Sequence, residues 1–317
     1  MGNNYELASN KIGAAIQYFR ESYGITQSKL CKGLCSIATL SRIEAGERDV
    51  DSLLLETLLE RLGRMPNQFE LILTDFDYLI YQNRVDIKNL IENMNWEKAY
   101  ELLQEYEKIT ASKGSIHMQF VVYCKALLNE SQGGAVEETI NLLMEAITYT
   151  VPDFKTHKIM DYYLSSSELG IIIDIIQRMI TAGMIDSAKD ILEQVLEYLE
   201  LQALTEDTIQ TYTKVAVIAC KLYLRENNIT KAQEMCDKGL EKSKGSRKMD
   251  YLGDLFYIKA KTTEIMFKDK KNWTNLKKIC LQYYLQAFHV YHFFDENVEA
   301  ELIKKHLEEE FQWVDID

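Results

Sequence analysis

TQSKLCKGLCSIATLSRIEAG, residues 26–46, decides how the rest of the chain is read. Thr26 is a preferred helix N-cap residue, and Gln27 to Leu34 reads as one short helix. Cys35-Ser36 forms a tight junction, after which Ser36 caps a second helix through Ile37, Leu40, Ser41, Ile43 and Glu44. Gly46 can end that helix in the left-handed conformation that costs other residues most. Leu30, Leu40 and Ile43 belong to a core, while Ser36, Ala38, Thr39, Ser41 and Arg42 fall on the outer face of the second helix. Two short helices, a tight turn and a small, polar outer face make the pattern of a helix-turn-helix.

The flanks supply the rest of a small helical domain. Ile12, Ile16 and Phe19 recur at helical spacing within residues 11–22, and that helix ends by Gly24. Asp51 or Ser52 caps a fourth helix that turns Leu54, Leu55, Leu58, Leu59 and Leu62 inward and stops at Gly63. Pro66 opens a fifth, short helix through Phe69, Leu71 and Ile72.

T-Q-x-x-L followed by L-S-R-I-E-x-G resembles the Cro/C1-type (XRE) DNA-binding domain, over roughly residues 10 to 70. Leu30, Leu34 and Cys35 ahead of SIATLSRIEAG are similar to the shortened turn of RRNPP-type peptide-pheromone regulators, the PlcR- and NprR-like members especially. A helix-turn-helix sets its second helix in the major groove, which points Ser36, Ala38, Thr39 and Arg42 at DNA. Arg42 can donate two hydrogen bonds to guanine or clamp a phosphate, with an ion pair to Glu44, Glu47 or Glu21 as its alternative. The resemblance implies a phosphate bond for Gln27, and Lys29, Lys32 and Arg48 are further phosphate candidates. One domain of this size reads few base pairs, so the expected partner is a pseudo-palindromic double-stranded operator bound by a homodimer.

The composition allows this. The 317 residues carry a net charge of −13, with 47% hydrophobic residues and only 2 prolines and 14 glycines, which favours an all-α chain of two domains. Residues 1–70 hold 8 basic and 9 acidic side chains, a balance of −1 that leaves −12 for the remainder. The acidic excess therefore spares the DNA-binding end. The six scattered cysteines contain no C-x-x-C and read as core residues of a reducing compartment, Cys31 and Cys35 included. MGNNYELASN lacks the pattern of a secretory leader or a myristoylation site, and Gly170 to Met184 is broken by Asp174, Gln177 and Arg178. The expectation is a cytoplasmic protein without a membrane partner.

From about residue 88 the chain repeats. NWEKAYELL, AVEETINLL, MIDSAKDIL, NITKAQEMC and NWTNLKKIC resemble one another, and their second residues, Trp96, Val136, Ile185, Ile229 and Trp273, are 40, 49, 44 and 44 apart. Long helical stretches precede all but the first: 116–129, 168–182, 208–226 and 250–268. Helix pairs at such a period indicate an α-solenoid. The pattern resembles degenerate tetratricopeptide repeats, with Ala99, Ala188 and Ala232 at the small-residue position and Thr139 and Leu276 replacing it. The expected division is a helix-turn-helix domain over 1–72, a connector over 73–87 and a repeat domain over 88–317 that ends in a capping helix.

No nucleotide-binding, nucleophile-elbow or H-E-x-x-H motif is present, so no enzyme and no cofactor is expected. His289 and His292, three apart, read as members of an aromatic cluster rather than as metal ligands. The resemblance implies a short signalling peptide, as in quorum sensing, held in a concave groove of the repeats, which also dimerise. Aligning the repeats on Ala188 and Ala232 puts Gln177, Lys214 and Lys221 on the inner face, with Asp174 and Arg178 close by. Gln119, Tyr123, Asn129, Tyr257 and Lys261 are comparable candidates, since side chains of this kind can satisfy a bound peptide's backbone or terminal carboxylate. Two alternatives stand beside this one: a repressor whose repeats bind an antirepressor or response regulator, and a repeat scaffold with a decayed DNA reader.

Overall fold

A computed structural model describes residues 3–47, 51–64, 75–154, 158–201, 206–246, 249–270 and 273–313, and the described elements are all helices. The first four are α1 (Asn3–Ser22), α2 (Gln27–Leu30), α3 (Ile37–Glu44) and α4 (Ser52–Arg61). Then follow α5 (Asp75–Glu92), α6 (Trp96–Thr110), α7 (Ser115–Ser131), α8 (Val136–Thr148) and, after a 3-10 turn at Ile159–Asp161, α9 (Ser166–Thr181). The remainder is α10 (Ile185–Leu201), α11 (Glu206–Arg225), α12 (Ile229–Ser246), α13 (Leu252–Phe267), α14 (Trp273–Phe293) and α15 (Asn297–Phe311).

The chain divides into two compact units, 1–194 and 195–317. In the first, Ile12, Ile16, Leu30, Leu40, Ile43, Leu55, Leu58 and Leu59 bury the core of the head formed by α1–α4. Ile80, Ile87, Ala99, Leu103, Tyr106, Val121 and Cys124 bury a second core among α5, α6 and α7. In the second unit, Val217, Cys220, Cys236 and Leu255 join α11, α12 and α13, and Cys280, Tyr284, Phe288 and Ile303 carry the packing on through α14 to α15.

The repeat register is the expected one. α6, α8, α10, α12 and α14 begin at Trp96, Val136, Ile185, Ile229 and Trp273. Three residues into four of them, Ala99, Thr139, Ala188 and Ala232 are fully buried where helices pack closely. Leu276, the bulky member of that series, is only half-buried.

Two local expectations change. α2 stops at Leu30 instead of running to Leu34, because Gly33 takes φ 77 and the Leu34 and Cys35 amides bond back to the Cys31 carbonyl. α1 starts well before residue 11, at Asn3. The connecting segment is helical from Asp75, as part of α5. The expected helix at Pro66 lies outside the described residues. Among the described residues no helix is long and apolar enough to cross a membrane.

Candidate nucleic-acid interface and its contact with the repeats

Local chemistry builds α3. The Ser36 hydroxyl accepts from the Thr39 amide at 3.1 Å, satisfying one of the helix's orphan donors. Leu40 and Ile43 are buried, at a stabilisation of about 1.5–3 kcal/mol each. Arg20 grips Glu44 at the helix's far end through Nε (2.6 Å) and Nη2 (2.9 Å), and also bonds the Ile25 carbonyl. The inward side of α3 is thus fixed by packing and by a two-bond ion pair.

The outward side carries the expected residues. Ser36, Ala38 and Arg42 are exposed and Thr39 is half-buried, its hydroxyl 2.9 Å from that of Ser36. Glu44 is occupied by Arg20 and Gln27, and among the described residues Arg42 forms no ion pair. Lys29 is exposed at the end of α2. Gln27 donates to Glu44 Oε2 at 2.7 Å, which braces α2 against α3. Lys32 is set apart from this group: half-buried, its ammonium lies 3.9 Å from the centre of the Tyr162 ring. Arg48 lies outside the described residues.

The head also meets the repeats, through α4 and the turn before α3, and sequence reasoning missed it. Arg61, at the end of α4, is fully buried with Glu168 of α9. Its Nε and one Nη2 hydrogen go to the two Glu168 oxygens, and the remaining donors reach the carbonyls of Leu30 (3.0 Å), Lys32 (2.7 Å) and Thr150 (3.2 Å). All five guanidinium hydrogens have acceptors. Glu168 also accepts from the Ser165 amide in a capping box at the start of α9. Beside it Gly33 abuts the Thr150 backbone so closely that a Cβ would stand 1.9 Å from that carbonyl oxygen.

Two acidic groups extend this contact. Asp51 caps α4 by accepting from Leu53 and Leu54, and its Oδ1 is 3.0 Å from Nε2 of the fully buried His117 on α7. Burial works against the charge, yet the His117 ring and the two amides hold the Asp51 carboxyl below its ordinary value. Glu60 does the reverse. Burial, reinforced by the nearby Glu56 and Glu168 carboxylates, pushes it up to about 7 although the Ser166 and Ser167 amides point at it.

The expected peptide residues fall into two groups. In the first unit, Tyr123 of α7 donates to Asp174 of α9 (2.9 Å), which also takes Arg178 (3.0 Å), itself paired with Glu130. Burial, with Asp174 next to it, pushes the Tyr123 phenol above its ordinary range. Gln119 is buried and bonded to Thr150, Asn129 bonds Thr139, and Gln177 is half-buried. Gln119 and Tyr123 also line a cavity of about 300 Å³, to which α4 contributes Leu53 and Thr57, α5 Arg84 and Lys88, and α9 Gly170 and Ile171. In the second unit Lys214 is half-buried, Lys221 pairs with Asp254 (2.8 Å), and Lys261 lies over the ring of Tyr257, which packs on Tyr284. His289 and His292 do lie against an aromatic ring, that of Phe288.

Residues 16–66 match the helix-turn-helix family HTH_3. No curated protein matches the chain. Among solved structures it is similar to Bacillus thuringiensis PlcR in complex with the peptide PapR7 and DNA, with a TM-score of 0.56, 17% identity, and 93% of this chain and 99% of that one covered. Apo PlcR from the same organism gives 0.56, 15%, 93% and 98%. The apo competence regulator ComR from Streptococcus vestibularis gives 0.46, 17%, 95% and 98%. Residues 16–66 are therefore a helix-turn-helix domain, followed by successive helix pairs in the fold that PlcR also adopts.

Proposed function

We propose that the chain is a cytoplasmic transcriptional regulator of the RRNPP type, in which residues 1–72 read DNA and the repeats of 88–317 bind a short signalling peptide and dimerise. One observation carries the reading: the head is built into the repeats through Arg61–Glu168 and Asp51–His117, and the 300 Å³ cavity beside that contact takes walls from both. A peptide side chain entering there touches α4 and the repeat helices α7 and α9 at once. Its binding energy is then available to shift where the head sits. A coupling of about 1–3 kcal/mol would change DNA occupancy roughly 5- to 150-fold.

Native mass spectrometry of the protein purified from its own host tests the sensing half. A dimer carrying a peptide of about 5–10 residues is the expected result, a length suited to an extended segment on repeat helices. A dimer that stays empty when host peptides are added, yet captures a folded protein, would replace the peptide with a protein partner.

A further inference from the structure

The second unit holds a cavity of its own, about 300 Å³, between the first turn of α13 and the last turn of α14. Its lining combines three aromatic residues, Tyr251, Tyr291 and Phe294, with three carboxylates, Asp250, Asp254 and Glu296. Tyr291 is 5% exposed, and its ring is pressed so closely on Gly253 that a Cβ there would stand 2.9 Å from it. A buried phenol ordinarily finds a hydrogen-bond partner. Among the described residues, no group bonds the Tyr291 hydroxyl.

The charges are equally incomplete. Asp254 pairs with Lys221 at 2.8 Å and Asp250 accepts from Gln210 at 3.0 Å, but Glu296 has no ion pair among the described residues. Glu299 adds a further negative charge nearby: partial burial, Asp254 and Glu299 together raise the Glu296 carboxyl. Burial and the same carboxylates, Glu296 included, lift the Tyr291 phenol above its ordinary range. Anions are excluded by this field, and an apolar guest would strip water from the carboxylates without replacing it. A hard metal ion prefers six or more oxygens and gains little from aromatic walls. A cation with N–H donors and a flat or alkyl body uses every part of the lining, because carboxylates accept from it and ring faces attract it.

We propose that this cavity binds an organic cation, a guanidinium or alkylammonium group, held by Glu296 and Asp254, covered by the aromatic rings and hydrogen-bonded to the Tyr291 hydroxyl. The group can arrive on a free amine or on an arginine or lysine side chain of a polypeptide; the chemistry is shared. This site is separate from the peptide reading above and does not depend on it.

Isothermal titration of the full chain with agmatine and with Nα-acetyl-arginine amide, at low and high salt, tests the proposal. Saturable binding that weakens with salt is expected, at least tenfold weaker in Glu296→Gln and about threefold to tenfold weaker in Tyr291→Phe. Circular dichroism would check that both variants fold, and Glu296 is exposed enough for its exchange to be tolerated. Tighter binding of agmatine would identify a free amine as the source, and tighter binding of the capped arginine a polypeptide side chain. Heat that never saturates, or equal affinities for wild type and Glu296→Gln, would overturn the site.

Discussion

α3 and α4 belong to one small head, yet they meet their surroundings in opposite ways. α3 shows solvent a face of Ser36, Ala38 and Arg42 that makes few internal demands. α4 ends in Arg61, whose side chain is wholly buried and whose five donors are all spent on the protein. A face that must bind something else keeps its donors uncommitted, whereas a face that fixes the head to the repeats must satisfy every one. Under the proposed function, the contrast separates recognition from docking within a single domain.

The sharpest way to break the contrast is at Arg61. Arg61→Ala leaves Glu168 buried and unpaired, and should cost about 3–5 kcal/mol in chemical denaturation. Arg61→Met combined with Glu168→Leu should recover only part of that loss, because it removes the buried charges as a pair but strips the Leu30, Lys32 and Thr150 carbonyls and the Ser165 amide of their partners. A single variant with unchanged stability would mean that the docking face is not held as described.

Glu60 sharpens the same face through pH. Its carboxyl sits at about 7 when folded, above its ordinary value, so the folded chain binds the extra proton between the two values. Stability attributable to this group is therefore greatest at acid pH and is lost as pH rises toward and through 7. Glu60→Gln removes the cost, so the variant should gain about 3 kcal/mol over wild type at pH 8 and less than about 1 kcal/mol at pH 5. Thermal unfolding at the two pH values measures the difference. A gain independent of pH would mean that Glu60 is not the titrating group.

On the other side, Ser36→Ala removes the cap of α3. It should cost about 1 kcal/mol, most of it local to the turn. Amide hydrogen exchange across Ile37–Leu40 should rise while the repeats keep their protection. Loss of protection throughout the chain would contradict the view that α3 is fixed locally.

What could be read from the sequence follows the same line. The cap at Ser36, the buried Leu40 and Ile43, and the starts of α6, α8, α10, α12 and α14 are set by residues within a turn or two of one another. Arg61 and Glu168 are 107 residues apart, and neither neighbourhood announces a buried charge. Asp51 was legible as a helix cap, but not as the partner of His117. The repeat alignment set Asp174 and Arg178 close to Gln177, and offered Tyr123 only as a comparable candidate from another repeat. It had no means of showing that Tyr123, Asp174 and Arg178 bond to one another and to Glu130, because periodicity gives the facing of a side chain and not its partner.

The smallest expected effect on folding carries the largest on function. Arg42→Ala should change stability by less than about 0.5 kcal/mol, since the side chain is exposed. Selection of bound sequences from a random double-stranded library, run at low salt with wild type and with Arg42→Ala, tests the central claim most directly. Wild type should enrich a two-fold-symmetric site, and the variant should bind weakly with discrimination lost at the contacted position, a change worth about 1–3 kcal/mol per half-site. The same enriched sequence from both proteins, or no enrichment by wild type, would contradict α3 as the reading helix.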